Sequence, residues 1–298
     1  AVKRGARHLS DIRQLPVDVR AALESDFCVG RSLVDRLVPS VDGTKKILLR
    51  LHDGLVIETV GIPTQDRLTV CVSSQVGCPL KCTFCATGKG GYARNLMPHE
   101  ICEQVLTVGE EFGRRVSHVV FMGMGEPLIN MHSVLQAHSL LTSPDWWEIS
   151  ARNITISTVG VRGAIPALAE HRLKSTLAIS LHAPNQELRQ ALVPSAAAYP
   201  LQELLGDACH YFAKTKRRIS FEYVLLGNVN DGPDHASELC ELLKKDQMLR
   251  SSHVNLIAWN SIADAEFESP APERVRLFLD ILTREGIQAT LREPRGLD

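Results

Sequence analysis

Three cysteines in one short stretch are the residues of this sequence best suited to chemistry. Cys78, Cys82 and Cys85 lie in the segment GCPLKCTFCATGKGG with the spacing C-x3-C-x2-C, directly after an apolar run at 68–72 that predicts a buried strand. Four thiolates complete the ligation of an iron-sulfur cube, so three leave one iron open to a substrate or cofactor. Zinc with a distant fourth ligand is the alternative. The spacing is unusual for zinc knuckles and favours an open-site cluster.

A repeating strand-helix pattern must position these cysteines. Apolar runs that predict strands recur from Leu68 onward, with amphipathic segments between them. This alternation is typical of βα units around a parallel sheet. We therefore predict an α/β fold, a partial (βα)6 TIM-like barrel with too few units to close as an eightfold one. The predicted strands are 68–73, 118–123, 153–158, 176–182, 219–226 and 253–259.

The pattern before Leu68 is different. Residues 1–40 predict a small accessory helical region. Residues 41–64 predict a β-hairpin extension, because the sequence alternates around Asp53-Gly54, a strong turn signal. Glu58 lies in the second strand of this hairpin, where on its own it indicates only an outward-facing residue. Residues 65–298 form the predicted barrel.

Small and polar residues follow the predicted strands where a parallel fold gathers its active site. The second strand ends in GMGEP, whose glycines allow close approach of a ligand and whose Glu126 offers a carboxylate. Any one polar strand end would be unremarkable. Together with the cysteines, these residues predict a small-molecule pocket. The other strand ends carry Ser157-Thr158, Ser180-Leu181-His182, Asn228 and Asn260.

Composition narrows the class of protein. The chain has 298 residues, 44% hydrophobic and 22% charged, enough to bury a large core. No apolar run is long enough to cross a membrane, and eight cysteines with three bunched as ligands favour a reducing compartment. The net charge of -1 gives no global attraction to nucleic acid, so RNA contacts would need local basic patches. Such patches occur at 3–7, 214–218 and 292–295.

Several longer motifs carry a family resemblance. The stretches RLTVCVSSQVGCPLKCTFCATGKGGYARNL, VVFMGMGEPL, ITISTVG, LAISLHAPN, FEYVLL-x-x-VND, VNLIAWN and REPRGLD resemble the radical S-adenosylmethionine (SAM) enzymes. More closely, they resemble the RlmN/Cfr-type adenine-C2 methyltransferases of 23S ribosomal RNA and transfer RNA. The likeness covers roughly residues 40–298. The stretch Val193 to Leu201 looks similar to family members from photosynthetic lineages.

The resemblance implies a set of site residues. Cys78, Cys82 and Cys85 match the ligands of a 4Fe-4S cluster whose fourth iron is chelated by SAM. Cys71, by itself a buried core thiol, matches a second catalytic cysteine. Glu58 matches a proton acceptor, which suits a reaction that removes the adenine C2 proton. The positions that match SAM contacts are Gly125, Glu126, Ser157, Ser180, Leu181, His182 and Asn260.

The resemblance also implies a mechanism. In this family one SAM methylates a carrier cysteine, and a radical generated from a second SAM activates that methyl group for addition to the adenine. Cys71 then matches the cysteine that releases the product by forming a disulfide with the carrier. The family motif continues past R-G-x-D to an A-C-G-Q that contains the carrier, whereas this chain ends at Asp298. We therefore expect the natural protein to be longer at both ends, and the 298-residue chain to bind cluster and SAM without completing methylation.

The implied partners are 23S rRNA, tRNA and an electron donor such as flavodoxin or ferredoxin, with no membrane. We expect the N-terminal helices with Lys3, Arg4 and Arg7, together with residues 214–218, to bind the RNA. We expect a monomer in the cytoplasm, or in a plastid if the source is a plant or alga. Two alternatives stay open. One is a radical SAM enzyme of other outcome, such as adenine C8 methylation or methylthiolation, and the other is a non-catalytic, metal-stabilised RNA-binding protein.

Overall fold

The structure, a computed structural model, describes residues 6–261 and 266–296. Its main sheet has ten strands in the order β1-β2-β3-β4-β7-β8-β9-β10-β11-β12, and β5 pairs with β6 in a second, two-stranded sheet. The strands are β1 Leu33–Pro39, β2 Lys45–Arg50, β3 Val56–Pro63, β4 Leu68–Cys71, β5 Gln75–Gly77, β6 Tyr92–Asn95, β7 His118–Phe121, β8 Ile154–Thr158, β9 Thr176–Ser180, β10 Ile219–Leu225, β11 His253–Ala258 and β12 Gln288–Arg292.

Helices connect the parallel strands, as the βα pattern predicts. The helices are α1 Val17–Glu24, α2 Ala86–Lys89, α3 Pro98–Phe112, α4 Met131–Thr142, α5 Ala164–Glu170, α6 Gln186–Leu192, α7 Leu201–Thr215, α8 Pro233–Lys244, α9 Gln247–Arg250 and α10 Pro272–Arg284. From β4 through β7 to β12 every neighbouring pair of strands is parallel. The predicted α/β fold, with six βα units, is confirmed.

Two strands lie outside the prediction. Residues 33–39 fall in the region predicted to be helical, but they form β1, which pairs antiparallel with β2 at the edge of the sheet. β12 adds a seventh parallel strand beside β11. Both strands are mostly exposed, so neither carries the apolar run or the alternation by which strands are recognised. The predicted hairpin is confirmed, since β2 and β3 pair antiparallel around Gly54, whose φ is +82°.

The sheet is strongly curved. β12 is five strands away from β7 in the sheet, which would be about 24 Å on a flat surface. Nevertheless Arg292 Nη1 lies 3.6 Å from the Sδ of Met122, directly after β7. The inner face must therefore wrap around a central space, as in a partial barrel. Across the open side, the amide of Gly296 donates to Asp42 Oδ2 in the β1–β2 turn at 3.1 Å.

Alternation along the strands separates the core from the barrel interior. In β10, Phe221, Tyr223 and Leu225 belong to the main hydrophobic core, whereas Ser220 and Glu222 are buried polar residues at the alternate positions. The apolar residues pack toward the helices and the polar ones face the central space. Among the described residues, we find no helix with the length and apolar character that a bilayer crossing requires.

Candidate radical SAM site

One cavity of about 230 Å³ lies at the carboxyl ends of the parallel strands. It brings together eight of the residues that the sequence predicts as site residues. Leu181 is fully buried and does not line the cavity, and Asn260 is exposed. Glu58 and Cys71 also lie outside its wall. The predicted residues that line it are Cys78, Cys82, Cys85, Gly125, Glu126, Ser157, Ser180 and His182.

The cysteine loop is anchored at its base by close backbone contacts. The amide of Cys78 donates to Gly91 O at 2.7 Å, which joins the two ends of the loop. Gly77 has φ +76°, and a Cβ on it would lie 2.0 Å from Gly91 O, so no other residue fits there without a shift of the backbone. These contacts close the segment that carries the three cysteines into a loop.

Two further contacts fix the top of this loop to the barrel. The amide of Thr83 donates to Leu192 O at the end of α6 at 3.0 Å. Trp259 Nε1 donates to Phe84 O at 3.1 Å, just after β11. Neither contact is predictable from the sequence, because both join residues more than 100 positions apart. They hold Cys82 and Cys85 over the strand ends.

The three thiols are close enough to interact electrostatically. The pKa of Cys82 is raised to about 12, mainly by burial and to a smaller extent by the neighbouring Cys85, Cys78 and Glu126. Burial likewise raises the pKa of Cys78, which also interacts with Glu126 and Cys85. In the described parts of the chain, no three His, Cys, Asp or Glu side chains converge in a group that could hold a metal ion. A 4Fe-4S cube takes each thiolate at a different corner, and the three cysteines on the cavity wall have the donor type that such a cluster requires.

Glu126 joins the GMGEP turn to the end of β8. Its Oε1 accepts from the amide of Leu128 and its Oε2 from the amide of Val159, both at 2.9 Å. Burial raises its pKa to about 6, and the two amides oppose this shift. Gly125, at φ +100°, packs so tightly on Gln75 that a Cβ would lie 2.6 Å from the Cβ of Gln75. Glycine is therefore required at this position by the close approach of Gln75, whereas the sequence predicts a close approach of a ligand.

His182 is held in a neutral form beside the cysteine loop. Its backbone has φ +61°, and its Nδ1 accepts from the amide of Val224 at 3.1 Å. Burial lowers its pKa to about 3, with a smaller contribution from the charge of Arg189. The imidazole meets the ring of Phe84 edge-on at 4.8 Å between centroids. His182 thus helps to position the residue between Cys82 and Cys85.

Glu58 and Cys71 lie on neighbouring strands. Cys71 pairs with Val60, two residues after Glu58 in β3, so the side chains of Cys71 and Glu58 point to the same face of the sheet. The Glu58 carboxylate is 39% exposed and lies 3.4 Å from Lys46 Nζ. Burial raises the pKa of Cys71 to about 12, with Glu58 adding to the shift and Arg292 opposing it. The Cys71 thiol is therefore neutral at neutral pH.

Sequence reasoning missed a buried arginine beneath the cavity. Arg189 in α6 is 1% exposed and donates to the carbonyls of Leu181 at 3.2 Å and Val159 at 2.5 Å. It ties together the ends of β8 and β9. Burial lowers its pKa to about 10, and electrostatic interactions with Cys82 and Tyr199 oppose this shift. Nothing in the stretch NQELRQAL distinguishes this arginine from one on a solvated helix face.

Comparisons with known proteins agree with this geometry. The sequence profile of the Radical SAM superfamily matches residues 72–243. A probable dual-specificity RNA methyltransferase RlmN from Thermosynechococcus vestitus is 55% identical over 296 residues, covering 99% of this chain and 86% of the relative. The protein of the same name from Gloeobacter violaceus is 54% identical, covering 99% and 83%.

A solved structure extends the agreement to three dimensions. The crystal structure of a radical SAM methyltransferase from Sphaerobacter thermophilus superposes with a TM-score of 0.94 at 40% sequence identity, covering 99% of this chain and 86% of that one. Identity of this level over nearly the whole chain exceeds what a shared fold alone produces. The chain belongs to the radical SAM superfamily and, within it, to the RlmN-type RNA methyltransferases.

Proposed function

We propose that this chain is a SAM-dependent RNA methyltransferase that methylates C2 of adenine in 23S rRNA and tRNA through a methyl-cysteine intermediate. The observation that carries the proposal is the convergence of the three cysteines with Glu126, Ser157, Ser180 and His182 on one cavity, in a chain of this family. The alternatives of C8 methylation, methylthiolation and a metal-stabilised binding protein have no comparable support from the relatives.

Membership of the superfamily implies a 4Fe-4S cluster and SAM. We assign Cys78, Cys82 and Cys85 to the cluster and the polar strand ends to SAM, used twice per turnover. Bound together, they supply the one-electron chemistry that adenine C2 requires, because this sp² carbon has no lone pair with which to attack a methyl sulfonium. Gly125 and Glu126 would bind the amino-acid end of SAM, and Ser157 and Ser180, whose Oγ atoms lie 3.4 Å apart, would bind its hydroxyls.

Glu58 and Cys71 are the proposed catalytic pair. Glu58 would accept the C2 proton, and Cys71 would release the product by forming a disulfide with the carrier cysteine. Their common face and their electrostatic interaction support this assignment. A thiol with so high a pKa needs a base before it can react, which a carboxylate on the same face supplies.

The basic patches are not equally suited to RNA. Lys214 to Arg218 directly precede β10 and so lie at the amino ends of the strands, away from the cavity. Lys214 is paired with Glu170 and Arg218 bonds to Gln288, which reduces their availability to phosphates. Lys3 and Arg4 lie outside the described residues. The patch at 292–295 begins with the last residue of β12 and lies at the cavity end. Arg295 also has acidic partners there, Glu293 at 3.2 Å and Asp42 at 4.0 Å, so it is the position of this patch that leads us to assign the phosphate contact near the target adenine to it.

An electron donor can approach the cysteine loop through a different groove from the cavity. Cys82 also lines a second groove of about 600 Å³ on the outer side of the cysteine loop, together with Lys81 and Lys89. Cys82, which we assign to the cluster, thus lines both the inner cavity and the surface groove. Lysines at that surface suit an acidic one-electron donor such as flavodoxin or ferredoxin. That the chain acts as a monomer in the cytoplasm stays a prediction.

The test is anaerobic reconstitution of a chain extended through the family's carrier cysteine, followed by mass spectrometry of tRNA and 23S rRNA. We expect 2-methyladenosine, and we expect it to disappear with Cys82→Ala. Formation of 8-methyladenosine would favour the C8 alternative. A colourless protein that contains zinc and never cleaves SAM would contradict the proposal.

A further inference from the structure

A buried carboxylate on the cavity wall has no role in the function proposed above. Glu222 lies in β10, its side chain is 4% exposed, and it lines the same cavity as the three cysteines. It pairs in register with Ser180 of β9 on one side and with Asn255 of β11 on the other. Glu222 thus occupies the same level of the barrel interior as a residue assigned to SAM.

The two carboxylate oxygens of Glu222 differ in their hydrogen bonds. Oε1 accepts from Asn255 Nδ2 at 2.8 Å and from Ser220 Oγ at 3.0 Å. Oε2 is buried and has no hydrogen-bond partner among the residues that the structure describes. A buried oxygen without a donor is costly, and most such oxygens in folded proteins have a partner. The missing donor is therefore the feature that requires an explanation.

Arg292 does not supply that donor. Its Nε lies 3.7 Å from Glu222 Oε2, beyond hydrogen-bond distance, and its Nη1 is directed to the Met122 sulfur at 3.6 Å. The arginine therefore stabilises the charge of the carboxylate without occupying its second oxygen. This leaves a charged acceptor, fixed in place by Asn255 and Ser220, on the wall of the cavity.

We propose that Glu222 is a positioning residue whose Oε2 accepts a hydrogen bond from an adenosine bound in this cavity, through a ribose hydroxyl or the exocyclic amine. The inference rests on the proposed function, which brings two adenosines to the site, one in SAM and one in the RNA. Both offer the same donors. The register with Ser180, next to the Ser157 hydroxyl, favours the adenosine of SAM.

The experiment measures equilibrium binding to the cluster-loaded chain under anaerobic conditions, comparing the wild type with Glu222→Gln. The glutamine side chain has one oxygen and one NH2 group. Its NH2 faces Asn255 Nδ2 in one orientation and the ligand's donor in the other, so one of these two donors always loses its acceptor. Loss of a hydrogen bond to a charged group lowers affinity roughly ten- to hundredfold. We expect this loss for SAM and an unchanged affinity for tRNA. A loss for tRNA alone would also support an adenosine acceptor and would assign it to the RNA.

SAM analogues show which group of SAM donates to Glu222. They also test the inference on the wild type, so the test does not require that the Glu222→Gln variant folds. Analogues that lack the 2′-hydroxyl, the 3′-hydroxyl or the exocyclic amine are measured on both proteins. The analogue that lacks the group bound by Glu222 should bind the wild type more weakly than SAM does. Its affinity should not fall further with Glu222→Gln, because both changes remove the same contact and their effects are not additive. If Glu222→Gln does not fold, wild-type affinity within about threefold for every analogue would overturn the inference.

Glu103→Gln is the matched control. Glu103 is also buried, but it lies on α3, pairs with Arg31 at 2.5 Å and does not line the cavity. We expect this variant to lose stability and to keep its affinity for SAM. If wild type binds SAM and Glu222→Gln binds both SAM and tRNA equally well, the inference is wrong and the proposed function stands. If the reconstituted wild type does not bind SAM, both are wrong.

Discussion

Burial keeps two side chains of the cavity, Cys82 and His182, neutral at neutral pH. It raises the pKa of the Cys82 thiol to about 12 and lowers that of the His182 imidazole to about 3. At neutral pH neither group is charged in the metal-free chain. Metal binding requires thiolates, so loading of a cluster must release protons from these cysteines.

The order of cysteine modification tests this conclusion. In the metal-free chain, Cys28 is exposed, whereas burial raises the pKa of both Cys71 and Cys82 to about 12. We expect iodoacetamide at pH 8 to alkylate Cys28 first and Cys71 and Cys82 much more slowly, because the thiolate is the nucleophile. Peptide mass spectrometry over a time course measures the order. Equal rates at Cys28 and Cys82 would contradict the burial described for the loop.

His182 makes stability depend on pH. Its pKa falls from 6.5 to about 3 on folding, so below pH 6.5 the unfolded chain takes up a proton that the native chain does not. This contribution is fully present above pH 6.5 and is lost as pH falls toward 3, by at most about 1.4 kcal/mol per pH unit. His182→Asn tolerates the positive φ and can still accept from Val224. We expect the Tm to fall less between pH 7 and pH 5 in this variant than in the wild type.

Among the elements, the cysteine loop has its tightest glycine contact at Gly77. Gly77→Ala places a Cβ 2.0 Å from Gly91 O at a φ of +76°, so we expect a loss of about 2–4 kcal/mol in the free energy of unfolding. We also expect a lower iron content after reconstitution. Both are measured by denaturant titration and by iron analysis.

Gly90→Ala is the control in the same loop. Gly90 has φ -75°, and a Cβ there would meet Thr87 O at an ordinary 3.6 Å. We expect its stability and iron content to stay close to those of the wild type. If both alanines behaved alike, the close approach at Gly77 would not be the cause.

The individual elements differ in how well they can be predicted from the sequence. Strands such as β8 and β10 were predictable because buried apolar runs define them, and the turn at GMGEP because its glycines meet a steric need. β1 and β12 are exposed edge strands without such a pattern. Glu222 and Arg189 were missed because their partners come from distant strands, and contacts of this kind leave no local signal.

For the whole molecule, the two ends of the barrel should differ in RNA binding. Arg295 follows β12 at the cavity end, whereas Lys216 precedes β10 at the other end. We expect Arg295→Glu to weaken tRNA binding and to reduce the slope of log affinity against log salt by about 1. Fluorescence anisotropy at several salt concentrations measures both quantities. Lys216→Glu, the control, should change neither, and a larger effect at Lys216 would contradict the assignment.

The hydrogen bond between Asp42 and the amide of Gly296 joins residues 254 positions apart. During translation, Asp42 leaves the ribosome long before its partner exists, and β12 emerges after every other strand. Until then the nascent chain exposes the unpaired edge of β11, and the interior of the barrel stays open on that side. Truncation before residue 288 would leave that edge permanently uncovered, which predisposes a polypeptide to aggregation and to proteolytic removal.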